Sequence, residues 1–173
     1  MMTSTEFADR VAIVTGSSSG IGEAIAHRLS ALGATVVVNS SSSVTAGEAV
    51  AAALPNEGSY IQADISDADQ RRNLIDATIE RHGRLDMLIN NAGWTTRVDH
   101  ADLDALTEDI FRRTFEVNVF GTWELTKYSM PHLRQSPDGN VVNITSIAGV
   151  RQVGSSIAYS VSKAALTHMH QLL

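Results

Sequence analysis

The chain has 173 residues, a formal net charge of −6, 43% hydrophobic and 18% charged side chains, and no cysteine. That length makes about one domain, and that apolar share supplies a substantial core, so disordered and collagen-like classes are excluded. Without cysteine there is no disulfide, thiol nucleophile or zinc–thiolate site, and an acidic balance with no Lys/Arg run argues against nucleic acid as the main partner. The longest apolar runs, Val36–Val38 and Ala49–Leu54, fall far short of the roughly 20 residues that span a bilayer. The first nine residues lack the basic start and apolar stretch of a secretory signal, so the expected setting is cytoplasmic, with no membrane partner.

From Val11 onward, short β-branched runs alternate with helical patterns, the signature of βαβ units around a parallel sheet. Five strands are predicted: Val11–Thr15, Thr35–Asn39, Tyr60–Ala63, Met87–Asn90 and Val141–Ile144. Each is nearly all apolar, as suits strands covered on both faces by helices. Between the first two, Ile21, Ile25, Leu29 and Leu32 recur at helical spacing and Gly33 stops the helix. The second helix is predicted to start at Thr45, with Glu48 completing a capping box. A third runs from Asp67 with Leu74, Ile75 and Ile79 on one face. A fourth, longer one begins near Thr107, carries Glu108 and Asp109 in its first turn, and ends before Ser136-Pro137-Asp138-Gly139. It contains Asn118 and Gly121, poor helix formers. Phe111, Phe115 and Val119 read as its buried face. Gly93–Asp104 is the longest irregular stretch, and Ile157–Leu173 is the last helix.

Thr15-Gly16-Ser17-Ser18-Ser19-Gly20-Ile21-Gly22 lies between the first strand and the first helix. Glycines there permit positive φ and close backbone approach, and the free N–H groups of a helix start favour a pyrophosphate. The predicted dinucleotide contacts are Gly16, Ser18, Ser19, Gly20, Ile21 and Gly22. Near the other end, Tyr159 and Lys163 are four apart, so on a helix they share one face and the ammonium can favour the ionised phenol. Ser146 follows the fifth strand, at the carboxyl end of the sheet where open α/β proteins place their ligands. The six histidines form no metal-ligand pattern, since His168 and His170 point to different sides of a helix. Trp94 either borders the cleft or packs under its loop.

The motifs TGSSSGIG (Thr15–Gly22), NNAG (Asn90–Gly93) and YSVSK (Tyr159–Lys163), with Ser146 thirteen positions before the tyrosine, resemble the short-chain dehydrogenase/reductase superfamily, nearest to its 3-oxoacyl-carrier-protein-reductase-like members. The resemblance implies a Rossmann-type doubly wound parallel sheet in three α/β/α layers. It also implies an NAD(P)-dependent hydride transfer between the coenzyme and a small carbonyl or secondary alcohol substrate. In it Tyr159 is the general acid/base, Ser146 positions the substrate oxygen, Lys163 tunes the tyrosine and holds the nicotinamide ribose, and Asn118 supports a proton relay at a helix irregularity. Asn91, Ala92 and Gly93 would line the coenzyme cleft, and Asp64 and Ile65 would meet the adenine. On spacing alone Asp64 equally caps the following turn, and Asn118 equally faces solvent.

Coenzyme choice turns on the end of the second strand, where an acid would select the non-phosphorylated form. Here the tract is Asn39-Ser40-Ser41-Ser42-Ser43. Ser40, Ser41 and Ser42 can accept a 2′-phosphate without repulsion, so NADP(H) is favoured over NAD(H), although neither this tract nor the glycine loop supplies a cation. Residues 1–173 read as one NAD(P)-binding domain lacking the last strands of the family fold, which makes a C-terminally truncated chain the expectation. The resemblance also implies a homo-oligomer, dimer or tetramer. The rival reading is a catalytically inactive nucleotide-binding fragment or regulatory relative.

Overall fold

The computed structural model describes residues 5–173. The apolar runs form one parallel sheet of five strands, β1 (Val11–Val14), β2 (Thr35–Ser40), β3 (Gly58–Gln62), β4 (Met87–Asn90) and β5 (Asn140–Asn143), in the order β3-β2-β1-β4-β5. The helices are α1 (Gly20–Ala31), α2 (Val44–Ala53), α3 (Ala68–His82), α4 (Glu108–Phe115), α5 (Thr122–Leu133) and α6 (Ile157–Leu172).

Both faces of the central strands are covered, which is why they read as continuous rather than alternating apolar runs. Ala12, Val14, Val36, Val38, Met87 and Ile89 share one core cluster with Ala26 of α1 and Val50 of α2. Val11, Ile13, Val37 and Leu88 share the other with Leu74 and Ile75 of α3 and Leu125 and Leu133 of α5. Coverage fails at the edges. β5 pairs only with β4, and its Val142 is 42% exposed; β3, with one neighbour, is also only partly buried.

Three helix expectations need correction. α1 buries Gly22, Ala26 and Ser30, small residues that let its backbone approach the sheet. Ile25 and Leu29 pack only partly, and Ile21 is 65% exposed. α2 begins one residue early, with Ser43 at its N-cap, so Thr45 lies inside the helix and the Thr45–Glu48 capping box does not form. The long fourth helix is α4 and α5 joined by a π-helical segment, Glu116–Gly121. Asn118 and Gly121 sit in that segment. A Cβ on Gly121 would lie 2.5 Å from the Ile65 carbonyl oxygen, so close packing on the β3–α3 loop holds the widened turn in place. The caps predicted for the third and fourth helices do form: Asp67 accepts from the amides of Asp69 and Gln70, and Thr107 from that of Ile110.

At the amino end of the sheet, Asp86 is fully buried just before β4. Its Oδ2 accepts from the Val11 amide at 2.9 Å and Arg84 Nε at 2.8 Å; its Oδ1 accepts from Arg84 Nη2 at 2.7 Å and the Ser136 hydroxyl at 2.6 Å. Burial raises the carboxyl's proton affinity, but the Arg84 and Ser136 hydrogen bonds and the Val11 amide outweigh it, holding the group below its ordinary value. The folded state therefore prefers the ionised form. Its contribution is complete above the ordinary carboxylate range and is lost as pH falls through the lowered value. Asp86→Asn should cost about 3 kcal/mol in urea denaturation at neutral pH, with the deficit narrowing in acid.

Candidate active site

The carboxyl ends of β1, β2 and β4 are joined by side-chain and backbone hydrogen bonds. Thr15, fully buried after β1, accepts through its hydroxyl from the amides of Asn91 and Ala92, both at 3.0 Å, and donates to the Ile89 carbonyl at 3.3 Å. In return Asn91 Nδ2 donates to the carbonyls of Thr15 at 2.9 Å and Gly16 at 3.1 Å. The glycine loop and the NNAG turn are thus one unit. Gly16 has φ +63°, and a Cβ there would come 2.9 Å from Ala92 Cα, so only glycine fits. Ser17 adds the third strand end: its hydroxyl donates to Val14 at 2.6 Å and accepts from the Asn39 amide at 3.0 Å.

These loops enclose a cleft of about 290 Å³. Among the predicted contacts, Gly16, Ser18, Ser19, Ser40 and Ser41 line it on the β1 and β2 side, Asp64 and Ile65 at β3, and Asn91, Ala92 and Gly93 at β4. Gly20, Ile21, Gly22, Ser42, Tyr159 and Lys163 do not. Gly20 opens α1 with φ +61°, and Ile21 is exposed beside it. Gly22 is a packing glycine, since a Cβ there would lie 2.5 Å from Asn91 Nδ2. Ser19 is the N-cap of α1 but makes no side-chain cap bond, which leaves the first-turn amides of α1 as donors. Ser40 is buried, and its hydroxyl is bonded to that of Tyr60 at 2.8 Å. Asn39 is locked into the sheet, its Nδ2 donating to Ile61 and Ala63 at 3.1 Å each. The open hydroxyl-bearing positions of that tract facing the cleft are therefore Ser41 and Ser43.

At Gly93 the cleft meets the second cluster. A Cβ built on Gly93 would lie 3.4 Å from Asn118 Oδ1 and 3.6 Å from Lys163 Nζ. Asn118 is fully buried rather than facing solvent: its Oδ1 accepts from the Trp94 amide at 2.7 Å, and its Nδ2 donates to the Trp94 carbonyl and Ser162 Oγ, each at 3.0 Å. Trp94 both lines the cleft and packs partly on the core. Lys163, 4% exposed, donates from Nζ to the Ile144 carbonyl at 2.8 Å. Burial lowers its proton affinity below the ordinary lysine value. Its Nζ lies 5.9 Å from the centre of the Tyr159 ring, so the i, i+4 pair shares one face of α6. Ser156 caps α6 by accepting the Tyr159 amide at 3.2 Å. Ser146, half-buried after β5, accepts the Ala148 amide at 3.1 Å, which leaves its own proton to donate.

A family model described as short chain dehydrogenase matches residues 10–173. The chain belongs to the short-chain dehydrogenase family. A Streptomyces violaceoruber protein named as ketoacyl reductase 2 of the granaticin polyketide synthase is 54% identical over 152 residues, 88% of this chain and 61% of that protein. A 3-oxoacyl-[acyl-carrier-protein] reductase of Synechocystis is 37% identical over 163 residues, 92% of this chain and 65% of the relative. A solved short chain dehydrogenase from Burkholderia cenocepacia in complex with NADP superposes with a TM-score of 0.88 at 36% identity, covering 96% of this chain and 67% of that one. The chain thus spans 61–65% of the length of these two curated relatives.

The cleft also contains residues the motifs did not announce: Ser43, Ala63, Val117 and, above all, Arg113 of α4. Arg113 and Val117 are four apart, so helical spacing puts them on one face, but nothing in the sequence says that this face meets the cleft. Among the described residues no His/Cys/Asp/Glu group could hold a metal, and no helix is long and apolar enough to cross a membrane. Thr15→Val keeps the shape but faces the part-buried Asn91 and Ala92 amides with a methyl. It should cost roughly 1–3 kcal/mol in denaturant unfolding, and the Asn91 and Ala92 amides should lose protection in hydrogen exchange.

Proposed function

We propose that this chain forms the coenzyme-binding and proton-transfer part of an oxidoreductase acting on a carbonyl or secondary alcohol of a small molecule, with NADP(H) preferred. The observation that carries this reading is the junction at Gly93, where the cleft lined by the glycine loop, the serine tract and the NNAG turn meets the Asn118–Lys163–Tyr159 cluster. The donor set fits such a coenzyme: uncapped amides at the start of α1 for a pyrophosphate, open serines at β2, and a buried cation at the other end. When bound, the coenzyme supplies or accepts the hydride.

The chain's own residues handle the oxygen and its proton. Tyr159 gives the proton to the substrate oxygen in reduction and removes it in oxidation. Ser146, with its oxygen already accepting from Ala148, donates its hydroxyl to that same oxygen and orients it. Lys163 keeps one N–H on the Ile144 carbonyl, and its remaining donors serve the phenol and the nicotinamide ribose. Asn118 has its side chain spent on Trp94 and Ser162, so it acts by holding the NNAG turn against α6, within the π-helical segment proposed to support the relay.

For coenzyme choice, Ser41 and Ser43 offer hydroxyls where an acid would repel a 2′-phosphate. The one carboxylate in the cleft lining, Asp64, is paired with Arg113 at 3.1 Å. A second copy of the chain is the proposed macromolecular partner. Phe111 and Phe115, stacked at 5.3 Å, are half-buried rather than core residues and share an apolar groove with the exposed Phe120. A cytoplasmic setting without membrane or nucleic-acid partners belongs to the same reading.

Tyr159→Phe should lower carbonyl turnover by about 100-fold or more while the NADPH dissociation constant changes by less than about threefold. Joint loss of both would make Tyr159 structural. Ser41→Asp should reverse the preference toward NADH in the same titrations; an unchanged ratio would contradict the NADP(H) assignment.

A further inference from the structure

The β3–α3 unit is tied together at both ends. At one end its connecting loop lines the cleft through Ala63, Asp64 and Ile65. That loop is braced internally, since Asp64 Oδ1 accepts from the Ser66 amide at 2.8 Å and Asp67 caps α3. At the opposite end the last residue of α3 returns to the start of β3, where His82 Nε2 lies 3.0 Å from Ser59 Oγ. The His82 side chain is only 5% exposed, and Ser59 is buried as well. Glu57, just before β3, has its carboxylate 3.9 Å from His82 Nδ1 and is itself open to solvent. β3 is an edge strand, bonded only to β2 and mostly half-buried, and elements of that kind open at lower cost than a core strand.

We infer that His82 is an acid-sensitive latch on this unit: as a neutral imidazole it ties the end of α3 to β3, and its protonation releases the tie and loosens the cleft loop at the far end of the same two elements. With the Glu57 carboxylate on its Nδ1 side, the neutral ring carries its proton there, and Nε2 accepts from the Ser59 hydroxyl. In the cation both nitrogens are donors, so Ser59 must turn its hydroxyl round. The new charge then sits in a buried site answered only by a solvent-exposed carboxylate beyond hydrogen-bond distance, and a buried charge without a hydrogen-bonded partner is costly. The charged groups that act on the ring are Glu57, before β3, and Arg81, beside it on α3. Burial has the largest effect and lowers the proton affinity, Glu57 raises it and Arg81 lowers it further, so the ring is held below its ordinary value. The contribution of the neutral ring is therefore complete above the ordinary histidine range and is lost as pH falls through the lowered value. Asp86, held below the ordinary carboxylate value, keeps its charge throughout that window, so the two acid responses are separate.

The test combines proton NMR titration of the His82 ring in the wild-type chain with amide hydrogen exchange at about pH 7.5 and about pH 5.5, on either side of the ordinary histidine value. The ring should titrate below that value. After correction for intrinsic exchange, the amides of β3 and of the last turn of α3 should lose protection by about threefold or more at the lower pH. The Ser66, Asp69 and Gln70 amides at the cleft loop should follow, while those of β1 and β4 keep their protection. His82→Gln, which cannot titrate but keeps a polar head for Ser59, should hold the same β3 and α3 protection at both pH values. A ring that titrates at or above the ordinary value would show that Glu57 and the helix end, which favours a cation, outweigh burial, and overturns the proposal. So does unchanged β3 protection in the wild-type chain, or an equal loss in every strand, which would make His82 a residue of global stability alone. The same local loss in His82→Gln would assign the response to another group and also overturns it. If His82→Gln does not fold, the ring titration and the wild-type exchange pattern decide.

Discussion

The hydroxyl of Thr15 is the smallest group on which the site depends. It is buried between the ends of β1 and β4 and accepts two backbone amides from the NNAG turn, so the glycine loop cannot move without that turn. Asn91 returns two donors to the loop, and Gly16 is pressed so closely on Ala92 that a side chain would not fit. The cleft is thereby fixed by hydrogen bonds among its own walls. Preorganisation of this kind matters because ordering loops on binding costs free energy that would otherwise appear as affinity.

The same turn carries the order onward. Trp94, the next residue after Gly93, is held through both backbone groups by Asn118, and Asn118 reaches Ser162 on α6, between Tyr159 and Lys163. A polar residue in mid-helix is ordinarily a weakness. Here the π-helical segment places it inside, where every donor and acceptor it owns has work against a neighbouring element. The sheet divides its tasks by end: Asp86 and its arginine and serine partners close the amino end, and the carboxyl end is given to the cleft and the Asn118–Lys163–Tyr159 cluster, as open α/β sheets generally place their ligand sites.

Much of this was legible in the sequence because the relevant physics is local. Unbroken apolar runs announce doubly covered strands, and the core strands β1, β2 and β4 obey. The glycine loop, the NNAG turn and the Tyr159–Lys163 spacing announce chemistry within a few residues, and their family is confirmed by the match over residues 10–173. What escaped depends on contacts between distant segments. Ile21 continues a helical stripe yet is exposed, because α1 approaches the sheet through Gly22 and Ala26. Ser40 sits in the serine tract yet spends its hydroxyl on Tyr60. The π-helical segment follows from Asn118 and Gly121 meeting Trp94 and Ile65, and Arg113 enters the cleft only because α4 is brought over Asp64.

The most direct test is a crystal structure of the chain grown with NADPH. The pyrophosphate should lie against the first-turn amides of α1, the adenine beside Ile65 and Asp64, and the nicotinamide ribose within hydrogen-bond reach of Lys163. A dinucleotide bound elsewhere, or bound in this cleft with its nicotinamide turned away from Tyr159 and Lys163, would contradict the account.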